Sequence, residues 1–215
     1  MEHITIEEAR GWYGSADPVH DFDHVLRVYR LAERLAQQEG ADLTVVRAAA
    51  LLHDSCGSAP GGNGDLRAEH HLTSAEFAGQ VLASKGWPAE KVRAVQHCIR
   101  AHRFRSQGEK PQTLEAQVLF DADKLDVLGA IGAARTIAYA ALDGMPAYAE
   151  PSEQFLATGE KAPGEPHSSY HEFLFKLRNV KSRMFTHSGR LLAKARHDFM
   201  LTFYQQLQAE VRGER

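Results

Sequence analysis

The chain sets a histidine and an aspartate side by side, His53-Asp54, directly behind the apolar run Ala48-Ala49-Ala50-Leu51-Leu52. His24 lies upstream, and "FDADKLD" supplies Asp121, Asp123 and Asp126 downstream. Three separated segments thus offer imidazole nitrogen or carboxylate oxygen. This is the mixture a divalent cation takes when rigid elements hold it, and adjacent residues can share one ion only where a helix end aims both inward. With 12 histidines in 215 residues, ligand and acid–base roles are the first chemistry to weigh.

The elements that must carry these groups read as helices. "DFDHVLRVYRLAERLAQQEG" puts Val25, Val28, Leu31, Ala32 and Leu35 on one face and stops at Gly40. "DLTVVRAAALLHD" follows and ends at the breaker-rich "SCGSAPGGNGD", a loop that follows a helix and lacks a Gly-Lys-Ser/Thr ending, so it is no P-loop but a lip beside His53-Asp54. Thr73 or Ser74, with Glu76, reads as the cap of "SAEFAGQVLASKG", and Pro88 as the first turn of "PAEKVRAVQHCIRAH". The stretch 113–142 reads as one helix with a long apolar face, and two more cover "SYHEFLFKLRNVKSRM" and "SGRLLAKARHDFMLTFYQQLQAEV". No alternating strand pattern and no repeat occurs. The expectation is an all-α single domain over 1–215, with a core at about 20–130, a C-terminal helical extension at about 168–212 packing on it, and a Pro/Gly/polar excursion at about 145–168.

Composition narrows the function classes. A net charge of -3 provides no broad basic field, so a sequence-independent grip on nucleic acid is not expected. Two cysteines exclude a disulfide scaffold, and Cys56 reads as a loop-packing residue. "MEHITIEEAR" has no signal-peptide pattern and no apolar run is long enough to cross a membrane, which points to a cytoplasmic protein. The apolar C-terminal helices suit a monomer or a homodimer.

The pattern H…HD…D, carried by "HVLRVYRLAERLA" from His24, "AAALLHD" and "ADKLD", resembles the HD-domain superfamily of metal-dependent phosphohydrolases. Likeness to its small stand-alone bacterial members extends over roughly residues 20–200, through "HDFDHVLRVY", "EHHLTSAEFA", "LFDADKLDVLGAIGAAR" and "HEFLFKLRNVKSRMFTHSGRLLAKAR". The resemblance implies a helical bundle in which His24, His53, Asp54 and Asp123 hold a divalent ion of Mn, Mg or Fe. Asp121 is the alternative distal ligand, because residues two apart point to nearly opposite sides of a helix and only one can serve. Asp126 could share the face of Asp123.

Some superfamily members use two further histidines for a second ion, and His70, His71, His97 and His102 occupy that interval. One ion or two therefore stays open, and so does a role for these histidines in holding phosphate. Asp54 is expected to be both ligand and partner to the attacking water, with His71 or His97 assisting catalysis and His70 and His102 contacting substrate. Arg27, Lys124, Lys176, Lys181 and Arg190 are further candidates for a phosphate-rich ligand, and Tyr170, His171 and Phe173 for stacking on a base. Many superfamily members carry an acidic residue three or four positions after the HD pair, whereas this chain has Gly57 and Ser58 there. The implied activity is hydrolysis of a nucleotide, a nucleoside triphosphate going to monophosphate and pyrophosphate. The alternatives are a nucleotide-sensing module without catalysis and a di-iron oxygenase.

Overall fold

A computed structural model describes residues 2–13, 22–56, 64–103 and 108–215, with 64–68 as backbone only. The glycine-rich lip falls largely outside the described residues. Among those described there are ten α-helices, one 3-10 turn and no strand: α1 (Ile6–Arg10), α2 (Phe22–Glu39), α3 (Leu43–Leu52), α4 (Gly64–Ser84), α5 (Ala89–Ala101), α6 (Leu114–Leu125), α7 (Gly129–Leu142), α8 (Glu153–Thr158), α9 (Ser169–Phe175), the 3-10 turn Leu177–Arg183, and α10 (His187–Val211). The all-α expectation holds. No single described helix is long and apolar enough to cross a membrane.

Two units divide the chain: residues 1–123 with 184–189, and residues 124–183 with 190–215. In the first, α3 is the central element, because its sequence is apolar on nearly every side and Val45, Val46 and Ala48 through Leu52 are all buried. Asp42 starts this helix by accepting from the Thr44 and Val45 amides. α2 packs on it through Val25, Val28, Leu31, Ala32 and Leu35, and α5 through Val95, Cys98 and Ile99. The N-terminal segment is tied down by Trp87, whose indole N–H donates to the Glu2 carbonyl, and by Tyr13, whose hydroxyl donates to the Leu51 carbonyl at 2.9 Å.

Two helix boundaries depart from the sequence reading. Thr73 and Ser74 do not start a helix, since α4 already runs from Gly64. Thr73 Oγ1 instead donates back to the His70 carbonyl at 3.0 Å, and Ser74 Oγ accepts from the Cys56 amide at 3.0 Å. Hydroxyls inside a helix satisfy themselves this way as readily as at a cap. The stretch 113–142 is two helices, broken where Leu128 is extended and Gly129 takes φ 76°, a left-handed conformation glycine adopts without steric cost.

The second unit contains α7 to α9, the 3-10 turn and most of α10. Phe173 stacks on Tyr204 with ring centroids 4.6 Å apart, and both are buried. The excursion at 145–168 has its own short helix, α8, capped by Ser152.

A candidate metal centre

His53 is the C-terminal cap of α3, and there its Nδ1 lies 2.8 Å from the Ala50 carbonyl. A carbonyl oxygen can only accept, so Nδ1 bears the proton and Nε2 carries the lone pair. The same device recurs at the end of α5, where the cap His102 turns Nδ1 onto the Ile99 carbonyl. Two helix ends thereby present two fixed imidazole lone pairs, and the turn after α3 delivers Asp54 beside them. α2 supplies His24 from its first turn, α4 supplies His70 and α6 supplies Asp123.

These six side chains form two groups of three within which the donor atoms lie no more than 4.8 Å apart: His24, His53 and Asp123, then Asp54, His70 and His102. His24 Nε2 is 3.4 Å from His53 Nε2, 3.5 Å from Asp123 Oδ1 and 3.9 Å from Asp54 Oδ2. Asp54 joins the groups, with Oδ2 3.6 Å from His53 Nε2 and Oδ1 3.1 Å from His70 Nε2 and 3.4 Å from His102 Nε2. By bond geometry the buried Asp54 Oδ1 has no hydrogen-bond partner among the described residues.

Imidazole and carboxylate donors that converge from separate helices fit a shared cation. Bonds of about 2.0–2.2 Å to one ion separate neighbouring donors by roughly 3.0 Å at octahedral and 3.5 Å at tetrahedral angles. The spacings of 3.1, 3.4 and 3.5 Å fall within that range, and those from Asp54 Oδ2, at 3.6 and 3.9 Å, lie just above it. The donor set, imidazole and carboxylate with no thiolate, suits Mn, Fe or Mg.

The electrostatics agree with this. Burial pushes the Asp54 carboxyl up, but the imidazoles of His53, His102 and His70 outweigh it and hold the group well below the usual carboxylate range. His53 is pushed down to about 4, chiefly by burial, so near neutral pH its imidazole is uncharged, the form a cation could bind.

Other residues singled out from the sequence lie elsewhere. Asp121 is buried two residues before Asp123 and accepts from the Phe185 amide at 2.9 Å and from the Thr186 amide and hydroxyl at 2.8 and 2.7 Å. Its carboxylate is committed to the chain at 184–189. His97 is not brought to the cluster: Nε2 accepts from the Gln112 amide at 3.1 Å, so Nδ1 bears the proton and donates to Glu109, which Arg100 also grips. His71 sits edge-on to His70 with centroids 5.9 Å apart, belongs to neither donor group, and is pushed down to about 4 mainly by burial.

Arg27 is half-buried one turn along α2 from His24. Lys124, Lys176, Lys181 and Arg190 belong to the second unit, where exposed Lys176 pairs with Glu172. Asp126 is there too, bonded to Arg135. His171 and Phe173 are buried inside that unit and offer no stacking face, while Tyr170 lies half-buried against Tyr148 and Tyr204. Sequence reasoning missed Arg103, whose guanidinium reaches His70 Nδ1 at 3.2 Å. It also missed the carbonyl locks on His53 and His102, for which a histidine at a helix C-terminus was the available signal.

Comparison with known proteins identifies the family. The HD domain family model matches residues 21–128. YpgQ of Bacillus subtilis is 33% identical over 99% of this chain and 91% of its own length. Its crystal structure in complex with ADP superposes with a TM-score of 0.71 at 30% identity, covering 97% of this chain and 99% of that one. An HD-superfamily hydrolase from Bacillus thuringiensis superposes with a TM-score of 0.72 at 26% identity, over 96% of this chain and 94% of that one. The matched segment contains all six converging side chains, and the chain belongs to the HD-domain superfamily of metal-dependent phosphohydrolases.

Proposed function

We propose that this protein hydrolyses a nucleotide, converting a nucleoside triphosphate to its monophosphate and pyrophosphate. The observation that carries the reading is the convergence of His24, His53 and Asp123, with Asp54 alongside, so that imidazole and carboxylate donor atoms from separate helices lie close enough to share one cation. A divalent ion there supplies a Lewis acid that lowers the pKa of water and neutralises phosphoryl charge. The ADP complex of YpgQ supports a nucleotide as the phosphate compound.

Asp54 is ionised across the neutral range and, with its side chain 21% exposed, is more open than His53 at 0% or His24 at 5%. It therefore orients the attacking water by accepting one of its protons in a hydrogen bond. The water oxygen bonds to the α-phosphorus, the bond from that phosphorus to the bridging oxygen breaks, and pyrophosphate leaves. His70 flanks Asp54 and faces the phosphate, Arg27 contributes positive charge from α2, and His102, whose Nε2 carries a lone pair, serves the cation and not the phosphate. The nearly complete burial of His53, His24 and His102 keeps bulk water off the ligand side, which strengthens every charge interaction there.

The test is release of phosphate and pyrophosphate from a panel of nucleoside triphosphates and diphosphates with added Mn²⁺, wild type against Asp54→Ala. Pyrophosphate appearing from a triphosphate and vanishing with the substitution is the expected result. Binding of Mn²⁺ with no cleavage of any phosphate compound would overturn the reading in favour of nucleotide sensing.

A further inference from the structure

The hydrogen-bond partners of the site histidines divide them into two kinds. His53 and His102 each turn Nδ1 onto a backbone carbonyl, an obligate acceptor, so each offers Nε2 as a lone pair. At His70 the logic reverses. Its Nδ1 lies 3.2 Å from Arg103 Nη1, and a guanidinium has donors only. Nδ1 must therefore accept, and an imidazole whose Nδ1 accepts bears its proton on Nε2. That Nε2 is the atom 3.1 Å from Asp54 Oδ1. A nitrogen bearing a proton has no lone pair to give to a cation.

We propose that Arg103 is a positioning residue that holds His70 as the Nε2–H tautomer. His70 is thereby a hydrogen-bond donor to a phosphate oxygen of the substrate and not a ligand of a second ion. The inference rests on the hydrolase reading for the identity of the acceptor, and it adds Arg103, which spacing in the sequence did not single out, as the residue that sets the role of His70. Exposure agrees with the division: the His70 side chain is 16% exposed, against 0% for His53 and 3% for His102, so an incoming phosphate reaches His70 from solvent. The tautomer also limits the role. A neutral imidazole that gave up its Nε2 proton would become an anion, so His70 stabilises developing charge on a phosphoryl or leaving oxygen without transferring a proton to it.

Two measurements test this. In metal-free protein labelled with ¹⁵N at histidine, long-range ¹H–¹⁵N correlation should show His70 protonated at Nε2, with His53 and His102 protonated at Nδ1. Arg103→Met should abolish that preference at His70 alone and Arg103→Lys, which still donates, should retain it. In equilibrium dialysis with Mn²⁺, His70→Gln should leave the number of bound ions unchanged and the Kd within about threefold, while KM for the best nucleotide rises about 10-fold, the worth of one hydrogen bond. Arg103→Met should add little to that rise in the His70→Gln background, because the arginine acts through the histidine.

A bare Nε2 at His70, or the loss of one bound Mn²⁺ with His70→Gln, would overturn the proposal. Failure of the wild type to cleave any nucleotide would remove the hydrolase reading instead. The tautomer and the ion count would still decide what His70 is.

Discussion

Each unit of the molecule contains a cluster of buried histidine and carboxylate, and the two keep opposite hydrogen-bond accounts. In the second unit His171 is wholly buried, with Nε2 2.9 Å from Glu165 Oε1 and Nδ1 2.7 Å from Ser168 Oγ. Glu165 also accepts from the Ser152 amide at 2.7 Å, the Ser152 hydroxyl at 2.6 Å and the Ala162 amide at 2.7 Å. Four donors thus meet the roughly four lone-pair positions of one carboxylate. In the first unit Asp54 Oδ1 is buried without a hydrogen bond among the described residues, and the locked lone pair of His102 faces it at 3.4 Å. Residues of the same types make a staple where donors equal acceptors, and a cation site where acceptors are in excess. Burial and composition do not separate the two, but counting donors does.

Asp54 joins the two donor groups of the first unit. Asp54→Asn should lower turnover by at least about 10³-fold and weaken Mn²⁺ more than about 100-fold. In metal-free protein it should nonetheless leave stability unchanged or raise it by about 1 kcal/mol, because an amide N–H can satisfy a facing lone pair. Wild type should gain about 5 °C or more in Tm at 100-fold excess of Mn²⁺ over Kd, and the variant should gain almost nothing. Loss of metal-free stability comparable to a core substitution would mean that Asp54 belongs to a staple after all.

Asp121 and Asp123 put both kinds of carboxylate on a single helix. Asp123→Asn should weaken Mn²⁺ by at least about 10-fold. Asp121→Asn should leave the Mn²⁺ Kd within about threefold but cost about 2–4 kcal/mol of stability by denaturant titration, since its oxygens take three donors from the chain at 185–186. A swapped pattern would make Asp121 the ligand.

The two aspartates also mark the limit of what the sequence can tell. The adjacency of His53-Asp54 behind a helix apolar on all sides was legible, because a titratable pair at the end of a core element needs a reason to be there. The choice between Asp121 and Asp123 was not, since both fit the same helix and the deciding donors come from Phe185 and Thr186, more than 60 residues away. His97 looked like the site histidines because its partner Glu109 lies beyond the end of α5, in a segment with no periodic signal. The break at 126–128 hid inside a continuous apolar pattern, where only the left-handed Gly129 marks it. Helix faces are written locally, whereas hydrogen-bond closure is a property of the folded chain.

In the second unit, His171→Leu should cost about 1–3 kcal/mol, because it leaves the Ser168 hydroxyl and one Glu165 oxygen each short of a partner in the interior. The variant should bind Mn²⁺ as the wild type does. A change in ion number would mean that the closed cluster also contributes to a metal site.

The smallest expected effect is a dependence on pH. Hydrogen bonds from the Ser152 hydroxyl and amide, with those from His171 and the Ala162 amide, outweigh burial and hold Glu165 down to about 2. Because the folded value lies below the ordinary value of a glutamate, the unfolded chain takes up the proton first as pH falls. The stabilisation from Glu165 is therefore complete above about pH 4.5, declines as pH falls, and is exhausted near pH 2. Chemical denaturation of metal-free protein between pH 6 and 2 should show wild type losing stability faster than Glu165→Gln, with the two curves converging at the acid end. Parallel curves would show that the carboxylate's charge contributes nothing to the staple, leaving the neutral hydrogen bonds of Ser168 and His171 to hold it.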